Sequence, residues 1–366
     1  MEPDVSIIVV VHNGAEYLTE TISSLLAQDG ELEIIIVDNG STDNSVAIAQ
    51  QFAQNSPAVK LIEQQNTGPS GGRNTGMRVA TGRYLMFLDD DDALVPHSLH
   101  QVVTMADREN LDLCSFDSTP FRDPSATDGN WDKFKDYYTV TNSYERQTGL
   151  ALMAQLRQQH EYRAVVWKYL ISQELAKKLG TDPHLMVRRH SDELFTFAAF
   201  VAAERAAHTP IQVHRRRVRG GSLMTNATTA NLTASADGYF AVYVQMLKII
   251  SALPSSLTPE VNESVAKIVN DVFLGCLRDR KLLPAKARTD LVSQYRYHDP
   301  LGVSQAIVVR DFERLQAVDR LLQLIQIDGV AKLVRAARRV SRWVSGLPQS
   351  FRWRGRTNLR NNNNRA

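Results

Sequence analysis

Four consecutive aspartates, Asp89–Asp92, end an apolar run, Tyr84-Leu85-Met86-Phe87-Leu88, within the stretch Arg83–Asp92. The apolar run reads as a buried strand. Like charges repel, so four carboxylates at one strand end are unfavourable unless something positive lies among them. A divalent cation such as Mg²⁺ or Mn²⁺ supplies that charge, because hard ions take oxygen ligands and share them with substrate phosphates. At the carboxyl end of a strand in an α/β sheet, this combination suggests a nucleotide and metal site. The competing use of the same residues is a solvated acidic loop ahead of a helix that begins near Pro96.

The elements that would position these carboxylates follow from the flanking pattern. Val5–Val11 is a continuous β-branched run, the mark of a strand buried on both faces. His12-Asn13-Gly14 turns the chain, and Leu18, Ile22, Leu25 and Leu26 then repeat at helical spacing. Leu32–Val37 is a second buried strand, ending in Asp38-Asn39-Gly40-Ser41-Thr42-Asp43, a turn rich in capping residues. Val46, Ala49 and Phe52 give a helix its core face, and Val59–Ile62 a third strand. A glycine-rich loop, Asn66–Gly72, leads into a helix through Arg73 and Asn74. Leu111–Phe116 is a further strand. Strands alternating with helices predict a mainly parallel, three-layer α/β sheet. Three of its carboxyl ends, at His12-Asn13, Asp38-Asn39 and Asp89–Asp92, put polar side chains on one rim. Asp38 there could accept the imide N–H of uracil or thymine, or simply cap its turn. The glycine loop is neither a dinucleotide fingerprint nor a P-loop, although Arg73 beside it could pair with a phosphate.

Composition narrows the class. The 366 residues are 43% hydrophobic and 22% charged, which is ordinary for a globular protein. Two cysteines, Cys114 and Cys276, lack any ligand-like spacing, which argues against a disulfide framework or zinc site. The start, MEPDVSIIVVVHN, lacks the basic segment of a signal peptide. No run approaches the roughly 18 apolar residues of a membrane span. The Asn-x-Ser/Thr triplets at Asn226, Asn231 and Asn262 therefore read as chance matches. The net charge of +2 hides an asymmetry: ten Lys/Arg and no Asp/Glu lie from Ala331 onward, leaving 32 basic against 40 acidic residues before it.

With these pieces in order, the N-terminal part resembles the family 2 inverting glycosyltransferases of bacterial surface-polysaccharide type, which have the GT-A nucleotide-diphospho-sugar fold. VSIIVVVHNGAEYL, IIIVDNGSTDNS and GPSGGRNTGMRVATGRYLMFLDDDD carry the resemblance over about 90 residues. It implies that Val11, Asn13, Asp38, Arg73, Asp89 and Asp90 serve the nucleotide-sugar. Asp89 and Asp91 would hold a divalent metal, Mn²⁺ or Mg²⁺. Two departures are Asn39, where a second aspartate is common, and Gly72, where alanine is. WKYLISQEL, from Trp167, and HSDELFTFAAF extend the match toward the acceptor side, with Trp167 and Glu193 facing the acceptor and Asp192 as catalytic base; Ser191 replaces the usual glutamate. The run His214–Ser222 resembles the family's Arg-x-Arg-x-x-Ser ending, placing Arg217 and Arg219 by the nucleotide-sugar. On residue type alone, Asp192 would cap the apolar helix Leu194–Val201, Trp167 would be core, and the arginines would line a solvated strand edge.

The chemistry fits the set: an inverting transfer needs a carboxylate to deprotonate the acceptor hydroxyl and positive charge to offset the leaving diphosphate. The expected domains are a GT-A catalytic domain, 1–228, a helical region, 229–328, and a tail, 329–366. In the tail, Val330, Leu333, Val334, Ala337, Val340, Val344 and Leu347 line one helical face and Lys332, Arg335, Arg338, Arg339 and Arg342 much of the rest, a pattern suited to an anionic membrane surface or to docking on the protein. Asn361–Asn364 reads as a disordered end. The resulting expectation is a UDP-sugar-dependent transferase acting on a glycan or lipid-linked polymer, cytoplasmic and peripheral at the inner membrane face, with no nucleic-acid module. The competing readings are an inactive nucleotide-sugar-binding scaffold and a haloacid-dehalogenase-type phosphatase, whose Asp-x-Asp motif belongs on the first strand.

Overall fold

The computed structural model describes residues 2–140, 142–180, 189–220, 229–254, 257–283 and 286, all within one compact unit. The chain runs β1 (Val5–Val11), α1 (Leu18–Leu26), β2 (Leu32–Asp38), α2 (Ser45–Asn55), β3 (Val59–Glu63), α3 (Gly68–Val79), β4 (Tyr84–Asp89), β5 (Ala93–Leu94), α4 (Leu99–Glu109) and β6 (Leu113–Arg122). It continues through α5 (Asp128–Phe134), β7 (Tyr144–Gln147), α6 (Gly149–Gln158), a 3-10 turn (Val166–Lys168), β8 (Tyr169–Ser172), α7 (Gln173–Leu179), α8 (Ser191–Ala202) and β9 (Ala206–Val218). Two long helices follow, α9 (Thr229–Ser251) and α10 (Pro259–Lys281).

The nine strands form one sheet, ordered β3-β2-β1-β4-β8-β6-β9-β5, with β7 also on β9. β1 lies parallel to β2 and β4, and β2 to β3, because each crossover carries a helix back over the sheet. β6 and β9 run the same way, whereas β8, β5 and β7 are reversed. The sheet is thus mixed beyond β4. The reversed strands are only four, two and four residues long, too short to show a period in the sequence.

β1 alternates its side chains between two layers, as any strand must. Val5, Ile7, Val9 and Val11 join one core with Leu18, Ile22 and Leu25 of α1 and Leu99 and Val102 of α4. Ile8 and Val10 face α3. The glycines expected as a loop are mostly the opening of that helix, which begins at Gly68 with Pro69 in its first turn. Glycine is a poor helix former, but here contact with β1 decides. A Cβ on Gly72 would come within 2.5 Å of Val10 Cγ1, and one on Gly76 would overlap Ile8. Only bare backbone lets α3 lie this close to β1.

The helical region packs α9 against α8, and α10 against both α9 and α6. Among the described residues, no helix is long and apolar enough to cross a membrane. Cys114 and Cys276 are separate buried thiols, and burial pushes Cys114 up to about 12. The remainder of the expected helical region, 287–328, and the basic segment 329–366 lie outside the described residues.

Candidate active site

Strand register builds the rim. Val11 pairs with Asp38 on one side, and Val10 with Asp89 on the other, so the two aspartates flank the end of β1. Asp38 is buried. Its Oδ2 accepts from the Gly40 and Ser41 N–H groups, each at 3.1 Å, which holds the turn. Its Oδ1 is buried with no partner. A buried acceptor left unmatched is unfavourable by about 1–3 kcal/mol, so this oxygen is suited to a donor arriving from outside. Turn capping therefore occupies one of its two oxygens. Asn13, in the left-handed region at φ 57°, accepts from Thr42 N–H at 2.8 Å and ties the first rim turn to the second. Asp43 adds to the tie by accepting from Ala15 N–H at 3.1 Å.

The aspartate run divides as the chain turns. Asp92 points inward, is buried, and accepts from the Arg217 N–H at 2.7 Å. Asp91 Oδ2 accepts from Arg219 Nε at 2.6 Å. Asp90 Oδ2 sits 3.4 Å from the His12 N–H. Asp89 faces the open cleft with 45% of its side chain exposed. Burial against surrounding protein, together with neighbouring aspartates, pushes the carboxyls of Asp89 and Asp90 up to about 7, in Asp89 against the pull of Arg73. For Asp89 the burial is enclosure by protein atoms and not loss of all contact with water. The cluster is therefore short of positive charge. Among the described residues, no three His, Cys, Asp or Glu side chains converge as a complete cation cage. Asp89 and Asp91 carry the oxygen donors that a hard divalent ion takes as ligands.

α8 closes the cleft opposite the rim. Asp192 does not cap this helix: the residue before the helix is His190, in the left-handed region at φ 60° and without a side-chain capping bond. Asp192 Oδ1 instead accepts from Arg73 Nη1 at 2.5 Å, and Ser191 Oγ lies 3.3 Å from the same nitrogen. Arg73 Nη2 is 3.7 Å from Asp89. One buried guanidinium thus sits between the rim aspartate and the helix carboxylate. Burial would lower the Arg73 pKa, but Asp192 and Asp89 outweigh it and raise it. The start of α8 is anchored from the helical region. His190 stacks on Tyr239 at 3.5 Å and contacts Ser235 Oγ at 2.6 Å, and Ser235 donates to Asp279 at 2.6 Å.

Three residues expected at the site take packing or bracing positions. Val11 is fully buried and its carbonyl accepts from Asn39 N–H at 2.8 Å, so its side chain meets core and not ligand. Trp167 is 3% exposed, stacked on His214 at 4.0 Å and edge-on to Tyr138. It is core and not an open sugar platform. Arg217 is committed to the Asp91 carbonyl, at 2.8 Å from Nε, to Asp123 at 3.3 Å, and to Glu20. It clamps the acidic turn from behind, leaving Arg219, 31% exposed, as the arginine beside Asp91. Thr21, which the sequence reading passed over, supports the same turn by donating to the carbonyls of Asp90 and Asp92 at 3.0 and 2.7 Å. Its signal was a polar residue inside the apolar stripe Leu18-Ile22-Leu25.

Residues 6–163 match the family model described as glycosyl transferase family 2. This part of the chain is similar to glycosyl transferase family 2 domains. Over 109 residues the chain is 43% identical to the uncharacterised glycosyltransferase YibD of Escherichia coli, covering 30% of this chain and 32% of that one. It is 32% identical over 210 residues to the uncharacterised glycosyltransferase EpsJ of Bacillus subtilis, covering 56% and 58%. It is 36% identical over 129 residues to the succinoglycan biosynthesis protein ExoO of Rhizobium meliloti, covering 33% and 36%. The chain thus spans less than two thirds of the length of these curated relatives. Its fold is similar to that of S. aureus TarS 1–349, solved in complex with UDP, with a TM-score of 0.55 and 18% identity over 79% of this chain and 86% of that one. The match ends before α8, so the carboxylate paired with Arg73 comes from beyond the matched segment.

Proposed function

We propose that this protein is a metal-dependent inverting glycosyltransferase that moves a sugar from a UDP-sugar to a hydroxyl of a cell-surface glycan or polymer. The observation that carries the reading is the single buried Arg73 between Asp89 of the rim and Asp192 of α8. It holds the Asp192 carboxylate across from a rim aspartate, where in this reading a donor sugar would end.

In this reading the free Oδ1 of Asp38 takes the imide N–H of uracil. TarS, of similar fold, was solved with UDP, which makes UDP the first nucleotide to test. Asp192, held by Arg73, accepts the proton of the acceptor hydroxyl. The acceptor oxygen forms its bond to the anomeric carbon from the face opposite the diphosphate, and the bond from that carbon to the phosphate oxygen breaks with its electron pair on the leaving UDP. The configuration inverts. Arg219 lies beside Asp91 to offset charge on the diphosphate. A divalent ion held by Asp89 and Asp91 would supply further charge neutralisation there. The basic segment from Gly329 seats the protein at an anionic, inner membrane face where lipid-linked acceptors are assembled.

Thermal stabilisation by nucleotide diphosphates tests the site, because a ligand that binds the native state raises its stability by mass action. The expected result is a shift with UDP in the presence of Mn²⁺ that is absent without the metal. A shift with GDP or dTDP alone would overturn the uridine assignment, and no shift with any nucleotide would overturn the nucleotide-site reading. Deleting residues 329–366 should leave the UDP shift intact and weaken binding to vesicles containing anionic lipid. Unchanged vesicle binding would remove the membrane assignment.

A further inference from the structure

The two residues that lead into α8, Arg189 and His190, are gripped by the helical region. Arg189 donates to Asn231 Oδ1 at 2.8 Å. A Cβ on Gly238 of α9 would come within 2.8 Å of both Arg189 Cβ and the Arg189 carbonyl oxygen, so bare helix backbone rests directly on this residue. His190 lies flat on the Tyr239 ring, with centroids 3.5 Å apart and planes 15° apart. The second helix backs that ring: a Cβ on Gly275 of α10 would meet Tyr239 Cζ at 2.9 Å.

The polar contacts run in one direction. Ser235 has a single hydroxyl proton and donates it to Asp279 Oδ2 at 2.6 Å. Its oxygen then accepts at the 2.6 Å contact with His190 Nε2, which places the ring proton on Nε2. Burial lowers His190 to about 4, in keeping with a neutral ring that carries its one proton there. Asp279, itself buried, is braced by Arg278 Nε at 2.9 Å. His190 needs this support, because its left-handed backbone, at φ 60°, is disfavoured for any residue with a side chain. Ring stack, hydrogen-bond chain and close backbone contact together over-determine the chain at 189–190.

Asp192 follows at the second position of α8, and its Oδ1 accepts from Arg73 Nη1 at 2.5 Å. We propose that α9 and α10 form a positioning clamp for Asp192, in which Tyr239, Ser235 and Asp279 set the start of α8 through His190 so that the carboxylate meets Arg73. The inference rests on the reading of Asp192 as the base. It gives the helical region, which lies beyond the matched segment, a role in the chemistry. A reacting group displaced by about 1 Å can lose about 100-fold in rate, so the fit of two helices behind the base would govern turnover.

The test follows the Arg73 guanidinium by proton–nitrogen NMR on the full chain, its signals assigned by their loss in Arg73→Lys. In the parent, pairing with Asp192 should protect these protons from exchange with water. Ser235→Ala, which removes the acceptor of the His190 ring proton, and Tyr239→Leu, which removes the stack, should each speed that exchange about tenfold. Ser235→Thr restores the hydroxyl and should restore protection. Val265 is buried in α10, about 20 Å along the helix from Asp279. Val265→Ala should therefore lower the thermal midpoint while leaving Arg73 exchange at the parental rate, which keeps general loosening of the helices from imitating the result. Unprotected Arg73 protons in the parent, parental exchange in either Ser235→Ala or Tyr239→Leu, no recovery in Ser235→Thr, or the same acceleration in Val265→Ala would each overturn the clamp. If UDP with Mn²⁺ gives no stabilisation while exchange follows this series, the donor reading fails and the clamp stands.

Discussion

Asp192 carries the sharpest residue-scale consequence. Its Oδ1 takes a hydrogen bond from Arg73 that asparagine can also accept through its amide oxygen. Asp192→Asn should therefore fold and keep stabilisation by UDP with Mn²⁺, yet lose transfer by roughly 10²–10⁴-fold, the usual contribution of a positioned general base. Transfer at the parental rate would remove Asp192 from the chemistry. At this scale the sequence was informative where a residue type is costly without a purpose. Four adjacent aspartates and a lone arginine after a glycine run mark themselves. It was uninformative where the partner lies far along the chain: Arg217 meets Asp91 and Asp92 across more than a hundred residues, and only the folded register shows that it clamps the turn.

At the scale of elements, α3 shows how close packing sets function. Its glycines allow the helix to rest on β1, and that height fixes Arg73 between Asp89 and Asp192. Gly76→Ala would place a Cβ on Ile8 Cγ2 with further contacts at 3.0 and 3.1 Å, all in the core. Overpacking of this kind is unfavourable by about 1–3 kcal/mol, partly offset by the roughly 1 kcal/mol better helix propensity of alanine. The thermal midpoint should fall by several degrees and the UDP shift should shrink as Arg73 moves. Gly129→Ala in α5, where a Cβ meets nothing within 4 Å, is the control and should be neutral or stabilising. Equal behaviour of the two variants would contradict the packing argument. The same physics explains the misread loop: glycine propensity argues against a helix, and only contact with β1 reverses that. The buried runs of β1, β2 and β4 were legible because burial on both faces demands continuous apolar sequence. The brief β5, β7 and β8 are held by neighbours and leave little trace.

For the whole molecule, the seam between β6 and β9 joins the acidic rim to the remainder of the sheet, and a buried histidine within it ties that seam to pH. His208 is 1% exposed, shares a 2.7 Å contact with Ser115 Oγ, and lies near Lys168, itself paired with Asp117 at 3.1 Å. Burial, reinforced by Lys168, lowers its pKa to about 4, against an ordinary value near 6.5. As pH falls below 6.5 the unfolded chain takes a proton that the folded chain refuses until about pH 4. Stability is thus full above 6.5 and is lost progressively between 6.5 and 4. At 1.36 kcal/mol per pH unit this is about 3 kcal/mol for His208. His190, lowered to about 4 chiefly by burial, adds a loss of the same sign where the helical region anchors α8. Chemical denaturation from pH 7 to pH 4.5 should therefore show a steep decline, and His208→Gln, which keeps a polar partner for Ser115, should flatten part of it. An identical slope in parent and variant would show that the seam does not set the acid limit. A flatter slope would place that limit in the same strands that hold the rim, so that the site and the fold fail together on acidification.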